Sequence, residues 1–215
     1  MKTDKFSELP DADRQAFARE KAPRIDAISK RHQPRISGTM EKVLRNRTQT
    51  DSAKTRALYD AVAPLARDLA QEAVCRKGCS HCCHIAVAIN QAEADLISRK
   101  TGIKAAQPEN RMMEGREQFA DAVPFGYEHP CPFLVDNQCS IYDVRPLACR
   151  AYFNLDTSPD LCRLDNNRPV LLYRHLDLDM IGIWAAGGPN KVVIADIREF
   201  FPKGQANGTE NTQGN

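Results

Sequence analysis

The sequence predicts a mainly α fold with one small β-hairpin, in which a charged helical extension precedes a compact cysteine-cluster domain. Three observations carry this expectation. Leu58, Val62, Leu65 and Leu69 recur at spacings of four, three and four, which places them on one helix face. Asp136-Asn137 interrupts two short apolar stretches as a tight turn would. All eight cysteines fall between Cys75 and Cys162, leaving residues 1–74 and 163–215 without any. The chain of 215 residues therefore divides into an extension at 1–49, a cysteine-cluster domain at 50–201 and a disordered tail at 202–215.

Residues 1–74 read as helical and charged, and their only glycine is Gly38. Thr50 or Asp51 serves as N-cap for the striped helix, which Pro64 should kink. Ile85, Val87 and Ile89 alternate as in a short strand. Asn90 with Glu93 three residues later forms a capping pair for a helix carrying Ala94, Leu96 and Ile97, and Gly102 ends it. A polar helix is expected over 108–122. The hairpin spans 131–142 and should bring Cys131 near Cys139. Asp143 caps a short helix that holds Pro146 in its first turn, carries Cys149 and ends about Tyr152. The apolar block at 170–201, with Leu171, Leu172, Met180, Ile181, Ile183 and Trp184, reads as helical packing. From Lys203 onward Gly, Gln, Asn and Thr dominate, as in a disordered tail.

Composition narrows the function classes. Hydrophobic residues at 42% and charged residues at 27% suit a globular core, and a mean hydropathy of −0.51 leaves little apolar surplus. The longest apolar run, near 181–186, falls far short of the ~20 residues that span a bilayer. The polar sequence after Met1 has no apolar segment of the kind that directs secretion, so the expected compartment is the reducing cytoplasm.

In that compartment cysteines stay reduced, so eight of them gathered together point to chemistry rather than to disulfides. Thiolate is a soft anionic donor. Four of them in a tetrahedron satisfy zinc or hold an iron–sulfur cluster. Cys75, Cys79, Cys82 and Cys83 lie within nine residues, a spacing that lowers the entropy of assembling ligands, and Gly78 allows the tight turn. The implied cofactor is zinc or iron, the latter alone or as a [4Fe–4S] cluster, and the metal would stabilise the domain. Adjacent side chains diverge, so Cys82 and Cys83 either serve different metals or include a bystander. His81 and His84 could supply nitrogen, though solvated or supporting roles are commoner. Four thiolates around such a centre leave a charge of −2, which Arg76, Lys77, Arg145 and Arg150 are placed to offset.

The runs Cys75-Arg-Lys-Gly-Cys79-Ser-His-Cys82-Cys83, Cys131-Pro-Phe-Leu134 and Cys139-Ser-Ile-Tyr-Asp-Val-Arg-Pro-Leu-Ala-Cys149-Arg-Ala-Tyr152 resemble the YkgJ-type cysteine-cluster proteins. Their domain is described as zinc- or iron-chelating and also occurs in flagellin lysine N-methylases. The resemblance covers about residues 75–162. It implies that Cys75, Cys79, Cys82, Cys83, Cys131, Cys139, Cys149 and Cys162 form the metal-binding set. Three residues separate Cys75 from Cys79 here, where the family usually has two.

Four readings of function follow. The first is a metal-binding protein with structural, sensing or delivery duties. The second, implied by the resemblance, is a protein-modifying enzyme of the flagellin methylase kind or its accessory, although Gly187-Gly188-Pro189 makes no nucleotide loop. The third rests on Cys75-x3-Cys79-x2-Cys82, a spacing that radical S-adenosylmethionine enzymes use, yet too little sequence follows for their barrel. The fourth is nucleic-acid binding: eight basic against two acidic residues from Lys30 to Arg56 give +6, but no aromatic residue is there to stack on bases. A solvated helix face explains that stretch better. No catalytic residue stands out, and metal ion is the one partner the residues imply, with neither nucleic acid nor membrane.

Overall fold

The computed structural model describes residues 12–76, 78–111, 124–164, 172–173 and 193–202. Two long helices, α1 (Ala12–Arg45) and α2 (Asp51–Glu72), come first. Thr50 caps α2 by accepting a hydrogen bond from the Ala53 amide, and the expected stripe of Leu58, Val62, Leu65 and Leu69 is buried. It meets Ile28, Ile36 and Val43 of α1 in a helical core. Polar contacts flank this seam. Arg31 and His32 reach Asp68, and Lys21 donates to the Glu72 carbonyl. The helix runs on through Pro64, whose missing N–H leaves the Asp60 carbonyl without its usual donor. Arg35 of α1 donates to that carbonyl at 3.1 Å.

The third helix, α3 (Gln91–Thr101), begins and ends as the sequence predicts. Asn90 and Glu93 form a reciprocal capping box, and Gly102 closes the helix at φ 76°, a left-handed conformation suited to glycine. The strand before it is shorter than expected. It is β1 (Ala88–Asn90), and it pairs antiparallel with Ile194–Asp196.

The predicted hairpin forms from β2 (Leu134–Val135) and β3 (Gln138–Cys139). Asp136 and Asn137 both take positive φ, 48° and 57°, as a type I′ turn demands. The helix expected from Asp143 to Tyr152 is instead a 3-10 turn at Tyr142–Val144 followed by α4 (Leu147–Arg150). Proline explains the break, because Pro146 forces Arg145 out of the helical region, to ψ 144°. Next come β4 (Phe153–Asn154), paired with β5 (Leu172–Tyr173), and a 3-10 turn at Pro159–Cys162.

The chain closes on β6 (Ile194–Asp196) and α5 (Ile197–Phe200). Part of the block expected to be helical is thus a strand; most of it lies outside the described residues, as do Lys77, residues 112–123 and the tail beyond Pro202. Of the polar helix expected at 108–122, the described residues 108–111 are non-helical. There the Arg111 amide donates to the Ile194 carbonyl and Asn110 accepts from the Ile194 amide.

Two cores result. The helical one unites α1, α2, Leu96 of α3, and Leu147, Ala151, Phe153 and Leu155. The second gathers Val87, Ile89, Ala94, Ile97, Phe133, Ile141, Ile197, Phe200 and Phe201. Helix α3 faces both. A buried ion pair joins Arg14, near the start of α1, to Asp156, which lies between Cys149 and Cys162. No helix among the described residues is long and apolar enough to cross a membrane.

Candidate metal centre

Every one of the eight cysteines is a free thiol, and they arrive from four stretches of chain. Cys75 and Cys79 follow the end of α2, and Cys82 and Cys83 sit in a 3-10 turn, His81–His84. Cys131 and Cys139 flank and enter the hairpin, Cys149 belongs to α4, and Cys162 ends the later 3-10 turn.

Backbone bonds hold these stretches together. The Cys131 amide donates to the Cys83 carbonyl at 2.7 Å, fastening the hairpin to the Cys82–Cys83 turn. The Val74 amide donates to the Asn154 carbonyl, and the Asn154 backbone amide points at the Cys75 sulfur, 3.5 Å away. The Asn154 side chain, almost wholly buried, donates from Nδ2 to the Cys162 sulfur at 3.1 Å. Glu93 supports α4 from below: one carboxylate oxygen accepts from the Leu147 amide at 2.8 Å and from the Tyr59 hydroxyl at 3.1 Å. That helix carries Cys149.

Burial and the charges of neighbouring thiols raise most of these cysteines. Burial pushes Cys162 up to about 11 against the Asn154 bond, and its nearby thiols are Cys75, Cys79 and Cys82. Cys75 is raised chiefly by burial and then by Cys79 and Cys82. Burial likewise pushes Cys131 up to about 11, with Arg198 opposing and Cys139 reinforcing. Cys139 is raised by burial and by Cys82. Cys149 lies well above its ordinary value from burial, with Cys82, Cys131 and Cys139 adding to it. Uncharged thiols are therefore favoured, and capturing a cation must expel their protons.

Cys82 is raised above its ordinary value, first by its neighbour Cys83 and then by desolvation, with Arg145 opposing. Among the described residues no three Cys, His, Asp or Glu side chains stand as one ligand group.

The surroundings suit anionic sulfur. The buried Nε of Arg145 has no hydrogen-bond partner among the described residues, while the Arg145 charge favours thiolate at Cys82 and Cys139. Thiolates drawn to a metal would give that N–H an acceptor. This donor set, soft sulfur beside an Arg145 that stacks on the Tyr142 ring at 3.7 Å and keeps a buried Nε without a hydrogen-bond partner, fits zinc, iron or an iron–sulfur cluster.

The other predicted charges divide. Arg150 stacks on Tyr59, 4.2 Å from the ring centre, and donates to the Arg145 carbonyl, yet its charge also favours thiolate at Cys139. Arg76 is spent on the Ala73 and Cys75 carbonyls. His84 turns toward the Gly126 carbonyl and the Tyr127 ring. Sequence reasoning missed Asn154 and Arg198. Arg198 donates to the Cys83 and His129 carbonyls and pairs with Asp196. A second capping box, Asp196 with Glu199, was the available signal for that end of the site.

Residues 74–171 match the model of the CxxCxxCC family, whose description reads "Putative zinc- or iron-chelating domain". The match bears out the cysteine-cluster resemblance over that stretch. No curated protein and no solved structure matches the chain.

Proposed function

We propose that the CxxCxxCC domain of this chain is a metal–thiolate module. In it Cys75, Cys79, Cys82, Cys83, Cys131, Cys139, Cys149 and Cys162 chelate zinc or iron, the latter alone or within a [4Fe–4S] cluster. One observation carries the reading: thiols from four stretches of chain become electrostatic neighbours around the Cys82–Cys83 turn, with Arg145 left unsatisfied beside them. A bound metal would supply the positive charge that lets these sulfurs ionise. The residues themselves orient the donors and exclude water. Arg145 and Arg198 hold positive charge beside the sulfurs, and Asn154 directs N–H groups at two of them. Such chemistry needs reduced cysteines, which supports a cytoplasmic setting.

Elemental analysis of protein purified without oxygen tests the reading. Tightly bound zinc or iron in stoichiometric amount is expected. Folded protein with only traces of either, and with eight thiols titrating freely, would show thiol redox chemistry instead.

A further inference from the structure

We infer that the first half of α1 is a clamp on the cysteine cluster: the buried Arg14–Asp156 pair, acting through Asn154, fixes where the Cys75 and Cys162 sulfurs stand. Arg14 and Asp156 are thus positioning residues, and neither belongs to the cysteine motifs. As a statement about metal capture the role rests on the metal–thiolate reading above. As a statement about two thiols it stands on the contacts alone, and α1 itself supplies no donor.

Arg14, Ala18, Lys21, Ile25 and Ile28 follow one another at spacings of four, three, four and three, so they share one face of α1. Toward Ile28 that face is apolar and joins the helical core. Toward the N-terminus it turns polar, yet Arg14 and Ala18 remain buried. Burying a guanidinium is unfavourable unless a carboxylate meets it. Here Arg14 Nε donates to Asp156 Oδ1 at 3.0 Å and Nη2 donates to Oδ2, a two-pronged grip between residues 142 positions apart.

From Asp156 the contacts run on to sulfur. The Asp156 amide donates to the Asn154 side-chain oxygen at 2.8 Å. Nδ2 of that side chain donates to the Ser158 carbonyl at 3.0 Å and to the Cys162 sulfur at 3.1 Å, while the Asn154 backbone amide donates to the Cys75 sulfur at 3.5 Å. The same helix also holds the segment that carries Cys75. Lys21 donates to the carbonyl of Glu72, the last residue of α2, and Arg24 pairs with the Glu72 carboxylate at 3.5 Å. The Val74 amide then donates to the Asn154 carbonyl at 3.0 Å, so the two gripped segments are tied to each other.

Stability alone does not call for such a pair. Apolar side chains of similar volume often replace a buried ion pair without loss, whereas the pair favours one register of the elements it joins. Ile28, Ile36 and Val43 already seat α1 on α2. What Arg14 adds is the placement of 154–162, a stretch whose regular structure is the end of β4 and one 3-10 turn.

The test is a brief pulse of iodoacetamide on the reduced full-length chain, purified without oxygen, read cysteine by cysteine by mass spectrometry. Arg14→Met combined with Asp156→Leu removes the grip and keeps apolar volume in its place, and circular dichroism verifies the fold. In that variant Cys75 and Cys162 are expected to alkylate about tenfold faster, with Cys131, Cys139 and Cys149 unchanged. Arg14→Lys keeps the charge without the two-pronged geometry and should fall between the parent and the double variant. Unchanged rates at Cys75 and Cys162, or equal acceleration at all eight cysteines, would overturn the clamp. Should the double variant fail to fold, Arg14→Lys decides between the same outcomes. Elemental analysis of the same samples keeps the two readings apart: an absence of zinc and iron overturns the metal–thiolate reading, while the alkylation pattern still decides the clamp.

Discussion

Between α1 and α2, Leu58 and Leu69 are completely buried against Ile28, Ile36 and Val43 of a helix 34 residues long. The second core packs Phe133, Ile141, Phe200 and Phe201 beneath strands of two or three residues, a four-residue helix and 3-10 turns. The first region has long hydrogen-bonded ladders and a continuous apolar stripe, onto which Leu147, Ala151, Phe153 and Leu155 also pack. The second has little regular backbone to cooperate with. It is held instead by particular polar contacts. Asp196 accepts from the Val87 amide at 2.6 Å, Arg198 ties α5 to the Cys83 carbonyl, and Arg111 pairs with Glu199 at 2.7 Å. If the thiols hold a metal, short elements around them should lean on it for stability more than the long helices do.

The largest effect should come from removing the metal. Binding to a thiolate site of this kind can be worth ~10 kcal/mol of folding free energy, and chelation should withdraw it from one region selectively. Amide hydrogen exchange is expected to accelerate over 124–164 and 193–202 while α2 stays protected. Equal acceleration in both regions would erase the contrast.

A second test addresses the link between them. Asp156 is 1% exposed and Arg14 only 8%, so Asp156→Ala removes one partner of a buried ion pair and should cost about 3–5 kcal/mol in chemical denaturation. A chain beginning at Thr50 loses Arg14 together with Ile28, Ile36 and Val43, and it should unfold at a lower temperature still. The division at residues 49 and 50 further predicts that this shortened chain keeps its metal. Metal content measured beside thermal unfolding separates the two effects, and loss of metal would move the boundary.

The same contrast decides what could be read from sequence. The helical stripe, the Asn90–Glu93 capping box, the Gly102 stop and the Asp136-Asn137 turn are local, each set by residues within a turn or two of one another. They were all legible. The pairing of β1 with β6 joins residues more than a hundred positions apart through three residues each, too few to leave a periodic signal. The cysteines were visible as composition, but which core each stretch packs against was not. Asn154 had no signature at all: it lies between Phe153 and Leu155 with nothing in the chain to mark its amide as facing two sulfurs.

If the helical region is self-sufficient, its stability should depend on apolar volume. Leu65 is 2% exposed at the middle of the stripe. Leu65→Ala is expected to cost about 2–5 kcal/mol, the usual range for a buried leucine that leaves a cavity. The readout that matters is the comparison: denaturation midpoints should fall alike with and without metal. A deficit that appears only in the metal-free protein would mean that the helices borrow their stability from the cysteine side.

The smallest expected effect lies on the polar seam of that same helix pair. His32 bonds to Asp68 at 2.7 Å and Arg31 approaches it at 3.3 Å. The His32 bond is the main reason the Asp68 carboxyl titrates below its ordinary value near 3.8, with Coulombic attraction from His32, Arg31 and Arg67 adding to it. A carboxylate whose folded pKa is depressed contributes stability that is present above the unfolded value and lost as pH falls through the folded one. The window for Asp68 therefore lies below pH 3.8. Because its side chain is 31% exposed, solvent and salt discount the pair, and Asp68→Asn should cost only about 0.2–1 kcal/mol at neutral pH. The variant should also show a shallower loss of stability on acidification than the parent chain, and less sensitivity to added salt. Denaturation curves at neutral pH and at pH 3, each at low and high salt, measure both. An Asp68→Asn penalty as large as that of Leu65→Ala would mean that the seam, and not the apolar stripe, fixes how α1 and α2 meet.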